Sequence, residues 1–184
     1  MKIFLLSLIL NLAVMCTLMA QDTIKYSPIG IFHTNYTPET GAPRQGIIMP
    51  ETKGSIEIYP EYAEGLRFVS FFEYIIVLYH FSEVEKWEPN VEPPGANHEH
   101  NFGVFSTRSP KRPNPIGLSV VKLDSIRNNI LYISGVDAFE GTPVLDIKPY
   151  LPSIDNVKSL INELLEVEFG HHDEKFINDS TFFK

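Results

Sequence analysis

Hydrophobic and polar residues alternate in short stretches along most of the chain, and prolines and glycines separate these stretches. Alternation is typical of β-strands with one buried face, because successive side chains of a strand point to opposite sides. Asn128 and Asn129 tolerate a positive φ and predict a hairpin turn between two such stretches. The pattern predicts a mainly β fold with strands, in chain order, at residues 26–33, 46–49, 55–59, 71–81, 118–126, 130–136 and 144–147.

Two segments have a pattern that is typical of helices. Residues 60–65 begin with a proline and predict one helical turn. After a possible N-cap at Ser153 or Asp155, apolar residues recur at helical spacing and predict an amphipathic helix that ends at about Phe169. We therefore expect a C-terminal helix and a polar tail over residues 156–184.

The first twenty residues differ in composition from the rest of the chain. Lys2 precedes an apolar run that ends at Ala20, which is the outline of a signal peptide cleaved after that residue. Cleavage would leave the domain at residues 21–155 without a stable membrane span and would make the protein exported, either periplasmic or secreted. The alternative is translation from Met19, which would make the protein cytoplasmic.

Composition sets limits on the chemistry of the predicted domain. Of the 184 residues, 43% are hydrophobic, which is enough for one compact core. The formal net charge of −8 disfavours nonspecific nucleic-acid binding, because phosphate affinity comes mainly from clustered Lys and Arg. The only cysteine, Cys16, lies in the predicted leader, so the domain has no disulfide, thiol nucleophile or cysteine metal site.

Common cofactor and catalytic motifs are absent from the sequence. Neither the G-x-G of a Rossmann fingerprint nor a P-loop motif occurs, and G-x-S-x-G and H-E-x-x-H are absent as well. His98 and His100, like His171 and His172, offer two ligands without a third, so we predict no metal site. A small molecule that binds this domain must be held by another kind of loop.

Residues 108–119 form the most unusual segment of the chain. Its three prolines fix φ and remove backbone donors, which predicts a stiff loop that could read an adenine edge through its remaining backbone groups. Arg108 could hold a carboxylate, and Gly117 would let a ligand approach the backbone closely. The alternative is a rigid surface connection with a solvated basic patch.

Residues 137–150 form a second candidate segment. Asp137 ends a predicted strand, where its carboxylate could meet an ammonium group or a ribose hydroxyl. Asp146 and Lys148 share one strand face, and we expect them to pair with each other.

Residues 42–45, 103–119 and 137–150 resemble, in this order, the hallmark motifs of the TsaA-like family, which includes TrmO. The resemblance covers residues 26–155. It implies a single-sheet TsaA-like β-barrel with short helices, and a homodimer that uses S-adenosylmethionine as its cofactor. It also implies a methyltransferase that acts on N6 of threonylcarbamoyladenosine beside the anticodon, so tRNA is the implied partner.

The resemblance also implies site residues. Cofactor contacts are expected from Gln45, Gly46, Ile47, Ile48, His80, Phe81, Arg108, Leu118, Ser134, Gly135, Val136 and Asp137. The acceptor nitrogen is urea-like and a poor nucleophile, so some group should accept its proton. Asp137, His80 and Tyr59 are the candidates for this catalytic role, and the sequence does not rank them.

The resemblance is weaker over residues 87–96, a loop in which bacterial tRNA-modifying members tend to carry arginines. This chain has Glu88 and Glu92 there, which repel phosphate. An alternative hypothesis is therefore an exported, non-catalytic module that binds adenosine or S-adenosylmethionine and has a different partner.

Overall fold

A computed structural model describes residues 23–92 and 102–159 of the chain. The predicted leader, the histidines at positions 98, 100, 171 and 172, and the predicted helix beyond position 159 lie outside the described residues. None of the helices in the described ranges is long and apolar enough to cross a membrane.

The described chain is mainly β, as predicted, and its principal sheet closes into a barrel. Six strands form the barrel in the order β1-β2-β7-β6-β3-β8, and all neighbours are antiparallel. Closure pairs every barrel strand on both sides and leaves no open edge. The strands are β1 (Gly30–His33), β2 (Lys53–Ile58), β3 (Tyr74–His80), β4 (Asn90–Val91), β5 (Phe102–Gly103), β6 (Ile116–Arg127), β7 (Ile130–Ser134) and β8 (Pro143–Pro149), with β4 and β5 forming a separate ribbon.

Alternation along the strands fills the barrel. In β3, Ile75, Val77 and Tyr79 are buried while the residues between them are partly exposed. The same alternation occurs over most of β6, whose residues 116–122 pair with the whole of β3. The buried apolar cluster consists of Phe32, Ile56, Ile58, Ile75, Val77, Tyr79, Val121, Leu123, Leu131, Ile133, Val136, Ala138 and Val144.

The predicted turns agree with the structure. Asn128 has a φ of 55° and joins β6 to β7 in an antiparallel hairpin. Asn129 donates its side-chain N–H to the carbonyl of Ile58 at 2.7 Å, which ties the hairpin to the end of β2. The helical turn predicted over residues 60–65 is the 3-10 helix Pro60–Leu66.

Two predicted elements are wrong within the described residues. Residues 46–49 are not a strand, because Gly46–Ile48 form a 3-10 helix. This helix packs against Gly135, just after the end of β7, and against β6. The C-terminal helix does not begin at Ser153 or Asp155: a four-residue helix, Pro152–Asp155, starts after Leu151, and residues 156–159 are not helical. The Asp155 carboxylate accepts the Leu151 N–H at 2.7 Å and so closes this short turn on itself.

Candidate active site

One end of the barrel contains a cavity of about 930 Å³. Its walls come from the segment before β2, the end of β3, the start of β6 and the loop between β7 and β8. This volume lies within the range of small-molecule and cofactor sites, about 300–1,000 Å³. Of the residues predicted to bind the cofactor, the cavity is lined by Gln45, Gly46, Ile47, Ile48, Phe81, Arg108, Leu118 and Asp137.

Asp137 is held in the cavity wall by donors from three different parts of the chain. Its Oδ2 accepts the backbone N–H of Gly46 at 2.9 Å, and its Oδ1 accepts the Ser119 hydroxyl at 2.6 Å. The Tyr79 hydroxyl donates a longer bond, 3.5 Å, to Oδ1. All three donors are neutral groups.

Burial therefore controls the ionisation of Asp137 and of its neighbour. Burial raises the pKa of Asp137 above its usual range, although the hydrogen bonds from Ser119 and Gly46 oppose the rise. Burial, together with the adjacent negative charge of Asp137, raises the pKa of Tyr79, so its phenol stays protonated and remains a donor. A carboxyl group with a raised pKa is a better proton acceptor when ionised, which is a frequent property of functional sites.

Tyr79 and Ser119 form the floor below Asp137. Their hydroxyl oxygens are 3.1 Å apart, and both residues are buried on facing strands. The Tyr79 ring packs edge-on against Phe32 and Phe81, at 5.5 and 5.2 Å between centroids. A Cβ at Gly117 would lie 2.3 Å from this ring, so glycine is required where the ring crosses β6.

The helix Gly46–Ile48 sits directly against the backbone that precedes Asp137. A Cβ at Gly46 would lie 1.8 Å from the carbonyl oxygen of Gly135, a contact that only glycine permits. Gly135 itself has a φ of +75°, which also favours glycine. The two glycines bring the Gly46 N–H within reach of Asp137, and Ile47 is left 64% exposed at the cavity.

Arg108 also lines the cavity. Its Nη1 donates to Oε1 of Gln45 at 3.1 Å, which joins the proline-rich loop to the segment before the 3-10 helix. Glu83, Glu92 and Glu140 also line the cavity, so its rim carries both signs of charge.

The proline-rich loop is fastened to the protein by hydrogen bonds on both sides. The Arg112 guanidinium donates to the carbonyls of Val104 and Thr107 at 3.1 and 2.9 Å. The carbonyl of Pro115 accepts the Phe81 N–H at 2.8 Å. Arg112 therefore shapes the loop that presents Arg108.

Several predicted site residues do not line the cavity within the described ranges. His80 is the last residue of β3, in register with Ile116, and Tyr59 follows β2 at its opposite end from Gly46. Val136 is fully buried in the core, and Gly135 contributes its backbone to the contact with Gly46. Their roles, like those of the residues that do line the cavity, stay predictions.

Ser134, the remaining predicted contact, belongs to another cluster. Its hydroxyl donates to Asp124 and accepts from the Lys53 ammonium group. Lys53 and Asp124 also form an ion pair at 2.9 Å. The predicted pair on β8 is present as well, since the Lys148 ammonium nitrogen is 2.5 Å from the Asp146 carboxylate.

Tyr79 and Ser119 were missed by the sequence analysis. The signal that could have found them is alternation: each is a hydroxyl-bearing residue at an otherwise apolar, inward position of its strand. Across residues 23–92 and 102–159, no group of His, Cys, Asp or Glu side chains is arranged to hold a metal ion.

Comparison with known proteins connects this geometry to a family. Residues 31–156 match the model of the tRNA-methyltransferase O N-terminal domain. A protein of Pyrococcus abyssi named as a probable S-adenosyl-L-methionine-binding protein is 42% identical over 160 residues, which is 87% of this chain and 85% of that protein. The tRNA (adenine(37)-N6)-methyltransferase of Rattus norvegicus is 36% identical over 152 residues, which is 79% of this chain and 34% of that enzyme.

Solved structures agree with the sequence comparison. A crystal structure of TrmO from Pseudomonas aeruginosa superposes with a TM-score of 0.61 at 34% identity. The match covers 75% of this chain and 60% of the TrmO chain, so this chain spans less than two thirds of that protein. With its family match, its closed barrel and its cavity, the chain belongs to the TrmO N-terminal domain family, whose members include S-adenosylmethionine-binding proteins and methyltransferases.

Proposed function

We propose that this protein binds S-adenosylmethionine in the cavity beside Asp137 and transfers its methyl group to N6 of threonylcarbamoyladenosine in tRNA. The observation that carries the proposal is that three segments far apart in the chain line one cavity. They contain residues 45–48, Arg108 with Leu118, and Asp137. These are segments for which the family resemblance implies cofactor contacts. The family description and the rat relative's name support tRNA as the acceptor.

The residues of the cavity fit the chemical groups of this cofactor. The Asp137 carboxylate suits a cationic group, because it lines the cavity and its three hydrogen-bond donors are neutral. Arg108 can offer guanidinium donors to a carboxylate in addition to its bond to Gln45. Ile47, Phe81 and Leu118 supply the apolar surface that an adenine ring needs.

When bound, S-adenosylmethionine supplies an activated methyl group, and the protein must align the acceptor nitrogen with it. Alignment of this kind can provide much of the acceleration, and it requires rigid walls. Tyr79 and Ser119 on paired strands and the loop fastened by Arg112 are such walls.

We infer that Asp137 accepts the proton from the acceptor nitrogen. It is the one of the three sequence candidates that lines the cavity, whereas His80 and Tyr59 do not. Its raised pKa improves it as a base at neutral pH. Its two oxygens have lone pairs beyond those that accept from Gly46 and Ser119.

A second candidate function is binding of S-adenosylmethionine without methyl transfer. Glu83 and Glu92 line the cavity and would repel the phosphates of a polynucleotide at its rim. The high coverage of the archaeal relative, which is named only as a binding protein, also favours this candidate.

The test is titration calorimetry of the protein with S-adenosylmethionine, followed by transfer of a radiolabelled methyl group to tRNA. We expect saturable binding that Arg108→Ala weakens and Lys148→Met leaves unchanged, since Lys148 pairs with Asp146 away from the cavity. Label should enter tRNA that contains threonylcarbamoyladenosine and not tRNA that lacks this modification. Binding without transfer would favour the second candidate, and no binding would refute both.

A further inference from the structure

His33, the last residue of β1, bridges two carboxylates from different parts of the chain. Its Nε2 is 3.1 Å from Oε2 of Glu57 on β2, and its Nδ1 is 3.0 Å from Oε1 of Glu140 in the β7–β8 loop. The second oxygen of Glu140 accepts the backbone N–H of Thr34 at 2.6 Å. Glu140 is thus fixed by two donors, and one of them is a titratable ring.

The geometry defines the charge state of this ring. A neutral imidazole has one N–H donor and one lone-pair acceptor, whereas an imidazolium has two donors. Both ring nitrogens of His33 face ionisable carboxylates, so both bonds form together only when the ring is protonated. The bridge between β2 and the β7–β8 loop therefore exists in the imidazolium state.

The bridged loop is the one that carries Asp137. Its backbone is also fastened to the chain at and after β1: Glu140 N–H donates to the Tyr36 carbonyl at 2.8 Å, and Gly141 N–H donates to the Phe32 carbonyl at 2.9 Å. The Thr34 hydroxyl donates to the Ala138 carbonyl at 3.0 Å. Residues 137–141 all line the cavity, so the position of this segment determines the shape of one wall.

We propose that His33 is a positioning residue of the cofactor site, which as an imidazolium bridging Glu57 and Glu140 holds the loop of residues 137–141 in its binding conformation. This inference rests on the proposed function. It predicts that affinity for S-adenosylmethionine falls when His33 loses its proton, although His33 does not itself line the cavity.

The surrounding charges support this behaviour. The hydrogen bond to Glu140 raises the pKa of His33 above its ordinary value of 6.5, and the bond to Glu57 adds to the rise against the effect of burial. Its strand partner on β2 is the uncharged Ser55, and the β8 residues that pair with β1 are the uncharged Pro143 and Val144. A raised pKa means that the bridge is intact at lower pH and is lost as the pH rises through that pKa.

The experiment is calorimetric titration with S-adenosylmethionine between about pH 6 and about pH 9 for the wild type and three variants. Glu57→Gln removes one carboxylate from His33 without altering a residue of the cavity. His33→Gln removes the charge, and Glu73→Gln is the control, because Glu73 pairs with Lys122 at 3.7 Å away from the cavity.

We expect wild-type affinity to fall by about fivefold across this range, since the bridging side chains are partly exposed and exposed ion pairs are weak. An α-amino group on the ligand also titrates at about pH 8, so the decisive readout is the midpoint of the fall. The midpoint should move to lower pH in Glu57→Gln and stay in place in Glu73→Gln. His33→Gln should bind weakly at low pH and lose the histidine-dependent part of the fall. An unmoved midpoint in Glu57→Gln would overturn the inference.

Nuclear magnetic resonance separates failure of this inference from failure of the proposed function. In the absence of ligand, the amide signals of Glu140 and Gly141 should titrate with the same midpoint as the His33 ring. If these amides titrate with the His33 ring, and neither the wild type nor any variant binds S-adenosylmethionine, the proposed function fails while the histidine bridge stands. If S-adenosylmethionine binds and these amides do not follow His33, the bridge is refuted.

Discussion

Two aspartates of the barrel each accept a hydrogen bond from a serine hydroxyl, and their surroundings make them different acids. Asp137 accepts from Ser119 and has only neutral donors, whereas Asp124 accepts from Ser134 and lies 2.9 Å from the Lys53 ammonium group. Burial raises the pKa of Asp137. Burial also acts to raise the pKa of Asp124, but bonds from Ser134 and Lys53 and the charges of Lys53 and Lys122 bring it below its usual range.

The difference indicates which carboxylate is available for chemistry. The charge of Asp124 is compensated by Lys53 within the protein, so this carboxylate is less available to a ligand. It stabilises the junction of β2, β6 and β7. The carboxylate of Asp137 has only neutral hydrogen-bond donors and lies in a cavity wall, where it can meet a ligand. Strongly shifted pKa values of desolvated carboxylates cluster at functional sites.

The largest expected effect is that of Asp137→Asn on cofactor affinity. Replacing the anion by an isosteric amide removes the charge while keeping a side chain that can bond to Gly46 and Ser119. We expect affinity for S-adenosylmethionine to fall roughly 100-fold, as for loss of a hydrogen bond to a charged group. The measurement is titration calorimetry, with Asp124→Asn as the matched control.

Asp124→Asn should bind S-adenosylmethionine within about twofold of the wild type, because Asp124 does not line the cavity. Equal losses in both variants would mean that the two aspartates act on binding through fold stability alone. In that case the difference between Asp137 and Asp124 would not bear on ligand binding.

The next effect concerns the amide that holds Asp137. Gly46→Ala places a Cβ 1.8 Å from the Gly135 carbonyl oxygen. Because this oxygen belongs to the backbone and cannot rotate away, the 3-10 helix must move away from the end of β7. We expect a loss of about 1–3 kcal/mol in the free energy of unfolding, typical of overpacking, and a weaker ligand affinity as well. Urea denaturation and calorimetry measure the two losses.

Gly65→Ala is a suitable control, since a Cβ at that position meets no atom within 4 Å. It should change the free energy of unfolding by less than about 1 kcal/mol. A Gly46→Ala protein as stable as this control would show that the contact with Gly135 relaxes without cost.

Most of the barrel could be predicted from the sequence alone, but one segment of the site could not. Alternation predicted most of the barrel strands, because each strand buries one face in a common core, and β3 is the clearest case. Residues 46–49 were predicted as a strand, but Gly46–Ile48 form a 3-10 helix in which Gly46 contacts Gly135 and Asp137. Contacts between residues about ninety positions apart leave no local pattern.

The site was predicted in part for the same reason. Family motifs located Arg108 and Asp137, since each lies in a segment with an unusual local sequence. The neighbours that set the ionisation of Asp137, namely Tyr79 and Ser119, depend on the register between β3 and β6. The family resemblance also implied a cofactor contact from Ser134, whose hydroxyl bonds to Asp124 and Lys53 in the structure, so its role stays a prediction.

A third prediction concerns Ser119→Ala. Loss of the 2.6 Å bond removes a stabilising donor from the ionised Asp137, so the pKa of Asp137 should rise further. The acid limb of a pH profile of methyl transfer should then shift to higher pH, with a free energy of unfolding about 1 kcal/mol lower. Ser134→Ala, the equivalent change beside Asp124, should leave the pH profile in place.

The smallest effect is the dependence of stability on pH, and the two aspartates should contribute with opposite signs. Asp124 has a lowered pKa, so its contribution is present above the pKa of the unfolded chain and is lost as the pH falls through the folded value. Asp137 has a raised pKa, so its carboxyl favours the folded state at low pH and that contribution is lost as the pH rises through the folded value.

Urea denaturation at acidic and neutral pH should therefore separate the two asparagine variants. At neutral pH, Asp124→Asn should lose at most about 1 kcal/mol, because its side chain is 31% exposed and such pairs are screened, while Asp137→Asn should be at least as stable as the wild type. At acidic pH the loss in Asp124→Asn should shrink, and the advantage of Asp137→Asn should disappear. If Asp137→Asn is more stable than the wild type and binds the ligand more weakly, the carboxylate serves binding and not folding. If Asp137→Asn is less stable than the wild type, the aspartate is a structural acceptor like Asp124.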